Sequence, residues 1–310
     1  MSLKVHLTVD HDAVWAFEAD GAAAGWLAEF ASAMGLSPGE GRADRHVQIE
    51  LMSRKPGEFF GPVVRRYAQA PTAGAWRIRE YADQVLFEHP EIREILCEVA
   101  LDVNGQARSR QMRRALMPVY LEALKRVGLP LHGALVEIGG SGVILAGRSG
   151  EGKSTACRRL PHPWRVRGDD LCLVVRGGDG NYRAHPLPTW SSIRKGCESG
   201  RCRSEASVPL AAVFFLAQSP GDECLELKKS AAAISLAGSA IEVFRSIDFG
   251  FPNGEDASVK KALYHNAAAA ALAIPAYRLR LSLTGLFWEK IEGALEEGDW
   301  LLDERGTGFQ

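Results

Sequence analysis

The residues with the clearest chemistry form a glycine-rich stretch that follows an apolar run. Residues 147–154 read GRSGEGKS and fit the pattern G-x-x-x-x-G-K-[ST] in full. Glycines let the backbone curl so that successive amides point at phosphate oxygens, and the dipole of a following helix adds positive potential. The lysine supplies charge for the β and γ phosphates, and the next hydroxyl can ligate Mg²⁺. We therefore predict an ATP and Mg²⁺ site whose binding residues are Gly147, Ser149, Gly150, Glu151, Gly152, Lys153, Ser154 and Thr155.

A pair of adjacent aspartates follows this loop after one predicted helix and one short strand. Asp169 and Asp170 come directly after the run Val-Arg-Gly, which predicts a position near the carboxyl edge of a neighbouring strand. Carboxylates beside a triphosphate can hold Mg²⁺ and can accept the proton of an attacking hydroxyl. A solvated Gly-Asp-Asp turn is the competing interpretation. We predict that both aspartates and Lys153 are catalytic, and that Ser154 and Asp170 are the metal ligands.

The early position of the aspartate pair narrows the class of nucleotide-binding protein. Hydrolytic motors and GTPases usually carry their metal-binding aspartate much later in the chain. The sequence also contains neither an NKxD base-reading element nor the LSGGQ element of transporter ATPases. These observations favour a kinase-like transferase.

Composition and charge exclude several other classes. Apolar residues make up 46% of the 310 residues, and the formal net charge is −1, so no global field favours nucleic acid or an anionic membrane. The start MSLKVHLTVD does not resemble a signal peptide, and no apolar run reaches the ~18 residues of a membrane span. Six cysteines show no disulfide or zinc framework. We expect a reduced, cytoplasmic protein; a homo-oligomer is compatible with the sequence.

The elements around these residues predict an α/β protein with two parts. Residues 1–128 mix strand and helix patterns, and end in a helix from about Gln106 to Val127 that Pro118 should kink. From residue 129 the pattern becomes strand, glycine turn, strand, loop and helix, followed by a long apolar strand and two alanine-rich helices. We predict an N-terminal α+β region over 1–128 and a catalytic domain over 129–310.

The order of these motifs resembles a known family. LHGALVE (residues 131–137), a glycine turn, GVILAGRSGEGKS and GDD together resemble the C-terminal catalytic domain of HPr kinase/phosphorylase, over roughly residues 129–285. The resemblance implies a P-loop, carboxykinase-like fold in which His132, Lys153, Ser154 and both aspartates surround the triphosphate and the acceptor hydroxyl. The N-terminal half is more similar to shorter relatives from bacterial peptide-modification cassettes, including the SynChlorMet group and lasso-peptide kinases.

One segment of the sequence departs from the pattern of HPr kinases, so more than one function has to be considered. NYRAHPLPTWSSIRKGCESGRCR stands where HPr kinases carry a second signature, which puts phosphorylase activity and the HPr substrate in doubt. Within it, Ser191 to Arg203 is interpreted either as a solvated loop or as a basic lid. The expected function is an ATP-dependent kinase acting on a serine or threonine of a peptide or small protein. The alternatives are a non-catalytic ATP-binding scaffold protein and a small-molecule hydroxyl kinase.

Overall fold

The structure is a computed structural model that describes residues 2–9, 13–52, 76–89, 92–188, 190, 204, 206–249 and 255–298. Among these, the residues up to Met117 form one compact unit, and those from Pro118 onward form a second. Each unit contains a mixed β-sheet with helices. The predicted α/β class is therefore confirmed.

The first unit is built on a six-stranded sheet in the order β1-β2-β3-β6-β5-β4. Strand β3 pairs in parallel with both β2 and β6, and the other pairings in this sheet are antiparallel. Its elements are β1 (Ser2–Val9), β2 (Ala13–Asp20), α1 (Ala23–Met34), β3 (Arg45–Leu51), β4 (Arg77–Tyr81), β5 (Gln84–Glu88), β6 (Glu94–Val99) and α2 (Gly105–Ala115).

Helix α1 shows how the first unit buries its apolar residues. Trp26, Leu27 and Phe30 repeat at threes and fours, so they share one face, and all three are buried. Trp26 stacks on Phe30, and its indole Nε1 donates a hydrogen bond to Gln111 Oε1 at 3.0 Å. The buried indole N–H is therefore satisfied by a side chain from α2.

The helix predicted from Gln106 to Val127 is interrupted at Leu116. It consists of α2, which begins with Asn104 Oδ1 accepting a hydrogen bond from Ala107 N, and of α3 (Met117–Lys125). Pro118 lies in the first turn of α3, where its missing N–H has no intrahelical partner to lose. The predicted disturbance at this proline is confirmed, and it takes the form of a new helix start.

The second unit is an eight-stranded sheet in the order β11-β10-β7-β8-β12-β14-β13, with β9 paired to β7. Strand β11 also pairs with β12, so the sheet closes on itself through β7, β8, β10, β11 and β12. After α3, its elements are β7 (Leu129–Ile138), β8 (Ser141–Ala146), α4 (Lys153–Arg159), β9 (Arg165–Gly168), β10 (Leu171–Arg176), β11 (Tyr182–Pro186), β12 (Val208–Gln218), β13 (Glu223–Glu226), α5 (Lys229–Ser246), α6 (Glu255–Ala273), β14 (Ala276–Leu281) and α7 (Phe287–Glu297).

The centre of this second sheet is buried on both faces. Strand β12 runs parallel to both β8 and β14, and its consecutive residues Val213 and Phe214 are fully buried although they point to opposite faces. This confirms the predicted long apolar strand, whose central run is AAVFFLAQ. The carboxyl ends of β8, β12 and β14 consequently meet at one edge of the sheet, and the glycine-rich loop begins there.

Candidate functional site

The glycine-rich loop joins the end of β8 to the start of α4. Gly150 and Gly152 have φ angles of +88° and +103°, which a residue with a side chain rarely adopts. A hydrogen bond within the loop stabilises it, because Arg148 N donates to Glu151 Oε2 at 2.6 Å. It is also tied to the end of β12, since Gln218 Nε2 donates to Gly150 O at 2.8 Å. These contacts fix a tight backbone curve ahead of the helix.

Lys153 lies inside this curve as the first residue of α4. Its side chain is buried, with 7% exposure, and Nζ donates to Gly147 O at 2.5 Å and to Arg148 O at 3.0 Å. Burial lowers the pKa of Lys153, and nearby carboxylates oppose that shift, first Asp170 and then Glu242. The lysine is therefore a partly desolvated cation surrounded by acidic groups.

The two aspartates interrupt a strand that lies along β7. Strands β9 and β10 pair with the same side of β7, and a bend at Asp169 and Asp170 separates them. Gly133 N donates to Asp170 O at 3.1 Å, and Gly133 pairs on its other side with Ala146, the last residue of β8. The pair lies at the carboxyl end of β9, as the run Val-Arg-Gly predicts. Because β9 and β8 both run antiparallel to β7, their carboxyl ends lie at the same edge of the sheet with β7 between them.

His132 lies between two carboxylates. Its Nε2 is 3.6 Å from Asp170 Oδ1, and its Nδ1 is 3.3 Å from Glu242 Oε2. Its backbone N donates to Ser239 Oγ at 3.0 Å, and Ser239 and Glu242 lie three residues apart on α5. The structure therefore brings together His132, Lys153 and Asp170, and adds Glu242, to which no motif in the sequence points.

This cluster lies inside a region that matches a protein family. Residues 95–296 match the family model of the SynChlorMet cassette protein ScmC. The chain belongs to the ScmC family. The match begins in β6 and ends in α7, so it includes the glycine-rich loop, the aspartate pair, His132 and Glu242. A comparison with curated proteins finds no match.

Three more predicted residues of this ScmC-family chain lie near Lys153: Ser154 and Thr155 follow it in α4, and the charge of Asp169 acts on it. Ser154 is exposed at the start of α4, and Thr155 is half-buried. Asp169 lies near α4, because its charge, after burial, helps raise the pKa of the Cys157 thiol to about 12. The charges of both aspartates act on Lys153, that of Asp169 also acts on Cys157 in α4, and Asp170 lies beside His132.

Glu137 lies on the same strand as His132, and its carboxylate contacts a different side chain. Its Oε2 lies 3.3 Å from Arg167 Nη1 on β9. The lid prediction falls on residues 191–203, which lie outside the described residues. Within the part of the chain that the structure describes, no helix has the length and apolar character to cross a membrane.

Proposed function

We propose that this protein is an ATP-dependent kinase that transfers the γ-phosphoryl group to a serine or threonine hydroxyl of a peptide or small protein. The observation that carries the proposal is the cluster of Lys153, Asp170 and His132 at the end of the strand that leads into a complete G-x-x-x-x-G-K-[ST] loop. Phosphoryl transfer needs positioning and charge neutralisation more than covalent help, and these groups supply both.

Lys153 supports the proposal through its position inside the loop. In contact with a triphosphate, its ammonium exchanges at least one of its bonds to Gly147 O and Arg148 O for a phosphate oxygen. The exchange is favourable because a carbonyl carries only a partial charge, whereas a phosphate oxygen carries a formal one. The loop amides and the positive end of α4 add to the same attraction.

The predicted metal ligands fit Mg²⁺ by their chemistry. Ser154 presents an exposed hydroxyl at the first turn of α4, and the Asp170 carboxylate is 28% exposed. Magnesium takes few protein oxygens and completes its shell with phosphate oxygens and water, so two protein ligands suffice. Bound there, Mg²⁺ would neutralise charge on the β and γ phosphates. The aspartate that does not hold the metal would accept the proton of the acceptor hydroxyl.

The HPr kinase resemblance and the ScmC membership support the finer parts of the proposal. The order of histidine strand, glycine-rich loop and aspartate pair is the order that HPr kinase catalytic domains share, and we extend their P-loop fold to residues 129–310. A cassette protein is expected to act on another product of its cassette, and a short precursor peptide is the acceptor that we propose. The N-terminal region 1–128 offers additional surface for such an acceptor.

The test is transfer of labelled phosphate. The purified protein is incubated with γ-labelled ATP, Mg²⁺ and a panel of acceptors: peptides that contain serine or threonine, including any short peptide encoded beside its gene, and sugars and amino acids. Labelling of the peptide supports the proposal. Labelling of small hydroxyl compounds alone would indicate a small-molecule kinase, and ATP binding without transfer to any acceptor would indicate a scaffold protein.

Matched variants show whether any transfer comes from this cluster. Asp169→Asn and Asp170→Asn should each lower turnover by about 100-fold or more, the range expected for loss of a general base or a metal ligand. Glu223→Gln is the control, because Glu223 pairs with Arg280 at the sheet edge on β13. Two fully active aspartate variants would mean that the pair forms only a turn.

A further inference from the structure

Glu242 is the residue of the cluster to which no role has yet been assigned. It lies on α5, and its Oε2 is 3.3 Å from the Nδ1 atom of His132. That nitrogen is closed off from solvent and has no hydrogen-bond partner of good geometry among the described residues. A buried ring nitrogen without a partner is costly, so the adjacent carboxylate is well placed to accept its proton.

The helix that carries Glu242 is fixed against the histidine strand. Ser239 Oγ accepts a hydrogen bond from the backbone N of His132 at 3.0 Å, and α5 packs on β7. Because residues three apart on a helix share a face, this contact also directs Glu242 at the imidazole of His132. The Nδ1–Oε2 distance of 3.3 Å is close to hydrogen-bond length, so a small rotation of the carboxylate or the ring completes the bond.

We propose that Glu242 is a positioning residue that holds the imidazole of His132 through Nδ1, so that Nε2 faces Asp170 and the acceptor hydroxyl. The effect of Glu242 on catalysis rests on the proposed function. The orientation of the imidazole ring rests on the geometry alone. An imidazole with a carboxylate on Nδ1 has a fixed tautomer and a fixed ring plane. Glu242 thus acts through His132.

A structural role for Glu242 is disfavoured by its surroundings. Its side chain is 42% exposed, whereas the side chain of His132 is 16% exposed. Alanine is the best helix former, so Glu242→Ala should leave α5 intact. A second way of acting is through Lys153, because the Glu242 charge also raises the pKa of that lysine. The two routes predict different kinetic changes.

The first experiment is independent of catalysis. The full-length protein is labelled with ¹⁵N-histidine, and the ring nitrogens of His132 are assigned by their loss in His132→Gln. In the wild type we expect a protonated Nδ1 in one tautomer. Glu242→Ala should shift this signal toward the mixed tautomers of a free imidazole, and Glu242→Gln, which keeps an acceptor oxygen, should retain most of it. Identical ring spectra in the wild type and in Glu242→Ala would overturn the proposal.

The second experiment is a double-mutant cycle measured by phosphoryl transfer. Glu242→Ala should lower kcat about tenfold without changing KM for ATP, since one orienting hydrogen bond is worth about that factor. In a His132→Ala background the same change should have no further effect. Glu296→Ala, an exposed change on α7, is the control.

A raised KM with unchanged kcat would show action through Lys153, and additive effects would show action independent of His132; either overturns the proposal. If no acceptor is found for the wild type, the kinase proposal fails, while the ring spectra still decide the role of Glu242.

Discussion

The Lys153→Met variant tests the proposed nucleotide site most directly. Methionine keeps the length and volume of the lysine side chain but removes its charge. Lys153 is buried and donates to two loop carbonyls, so the change acts inside the loop and leaves the surface unaltered. We expect weaker binding of Mg-ATP and the complete loss of phosphoryl transfer.

The size of the binding effect follows from two opposing terms. A unit charge about 4 Å from a phosphate oxygen contributes about 4 kcal/mol at an effective dielectric constant of 20. Giving up one charged hydrogen bond, to Gly147 O or to Arg148 O, costs about 1.5 kcal/mol. The net loss of about 2.5 kcal/mol corresponds to an affinity lower by about 70-fold.

The assay is isothermal titration calorimetry of the wild type, Lys153→Met and the exposed control Lys290→Met. Magnesium tripolyphosphate is titrated alongside Mg-ATP, because it isolates the phosphate contacts from the base. The melting temperature should change little, since the loss of two hydrogen bonds is offset by removal of a buried charge whose pKa burial has lowered. A Kd within threefold of the wild type for both ligands would refute the assignment of Lys153 to the phosphates.

Two further predictions concern stability. Arg159→Ala removes side-chain bonds from α4 to two carbonyls of the segment after β14, so the free energy of unfolding in urea should fall by about 1–3 kcal/mol, and an unchanged midpoint would contradict this. Burial raises the thiol pKa of Cys97 and Cys157 to about 12, from an ordinary value of 9.0. Between these values the unfolded chain loses protons that the folded chain keeps, so stability should decline as pH rises above about 9. Cys97→Ala with Cys157→Ala should lessen that decline in urea titrations at pH 8 and pH 10; an equally steep decline would show that other groups cause it.

Much of the fold was predictable because its strands carry local patterns. The alternating run HVQIELM forms β3, and the two apolar runs around Gly139 and Gly140 form the β7–β8 hairpin. Strands β11 and β13 were missed, since each is short and depends on partners distant in sequence. Strand β6 was missed although it is apolar, because Glu98 interrupts its pattern and is nevertheless buried.

The residues of the candidate site likewise differ in whether the sequence alone indicates them. Lys153 and the aspartates were predictable from a contiguous motif and from spacing, and the resemblance pointed to His132. Glu242 lies far along the chain from all of them and in a helix with no motif of its own. Only the packing of α5 on β7 places its carboxylate beside the imidazole. The run Val-Arg-Gly correctly indicated a short strand, β9, that ends at the aspartates, but it did not indicate the antiparallel pairing of that strand with β7, which lies in a different part of the chain.

The close packing at Gly133 has a consequence for how variation in this protein should be interpreted. A Cβ atom at that position would lie 2.7 Å from Ile144 Cγ2 and 3.2 Å from Leu145 O, so any larger residue would push β7 away from β8. In a saturation mutagenesis screen, two adjacent positions should therefore give different phenotypes. Substitutions at Gly133 should reduce the amount of soluble protein, whereas substitutions at His132 should leave the amount unchanged and lower the proposed phosphoryl-transfer activity. A screen that scores growth alone would not distinguish these two kinds of substitution. A screen that also measures protein abundance would show that Gly133 is needed for folding and that its neighbour His132 is needed for the reaction.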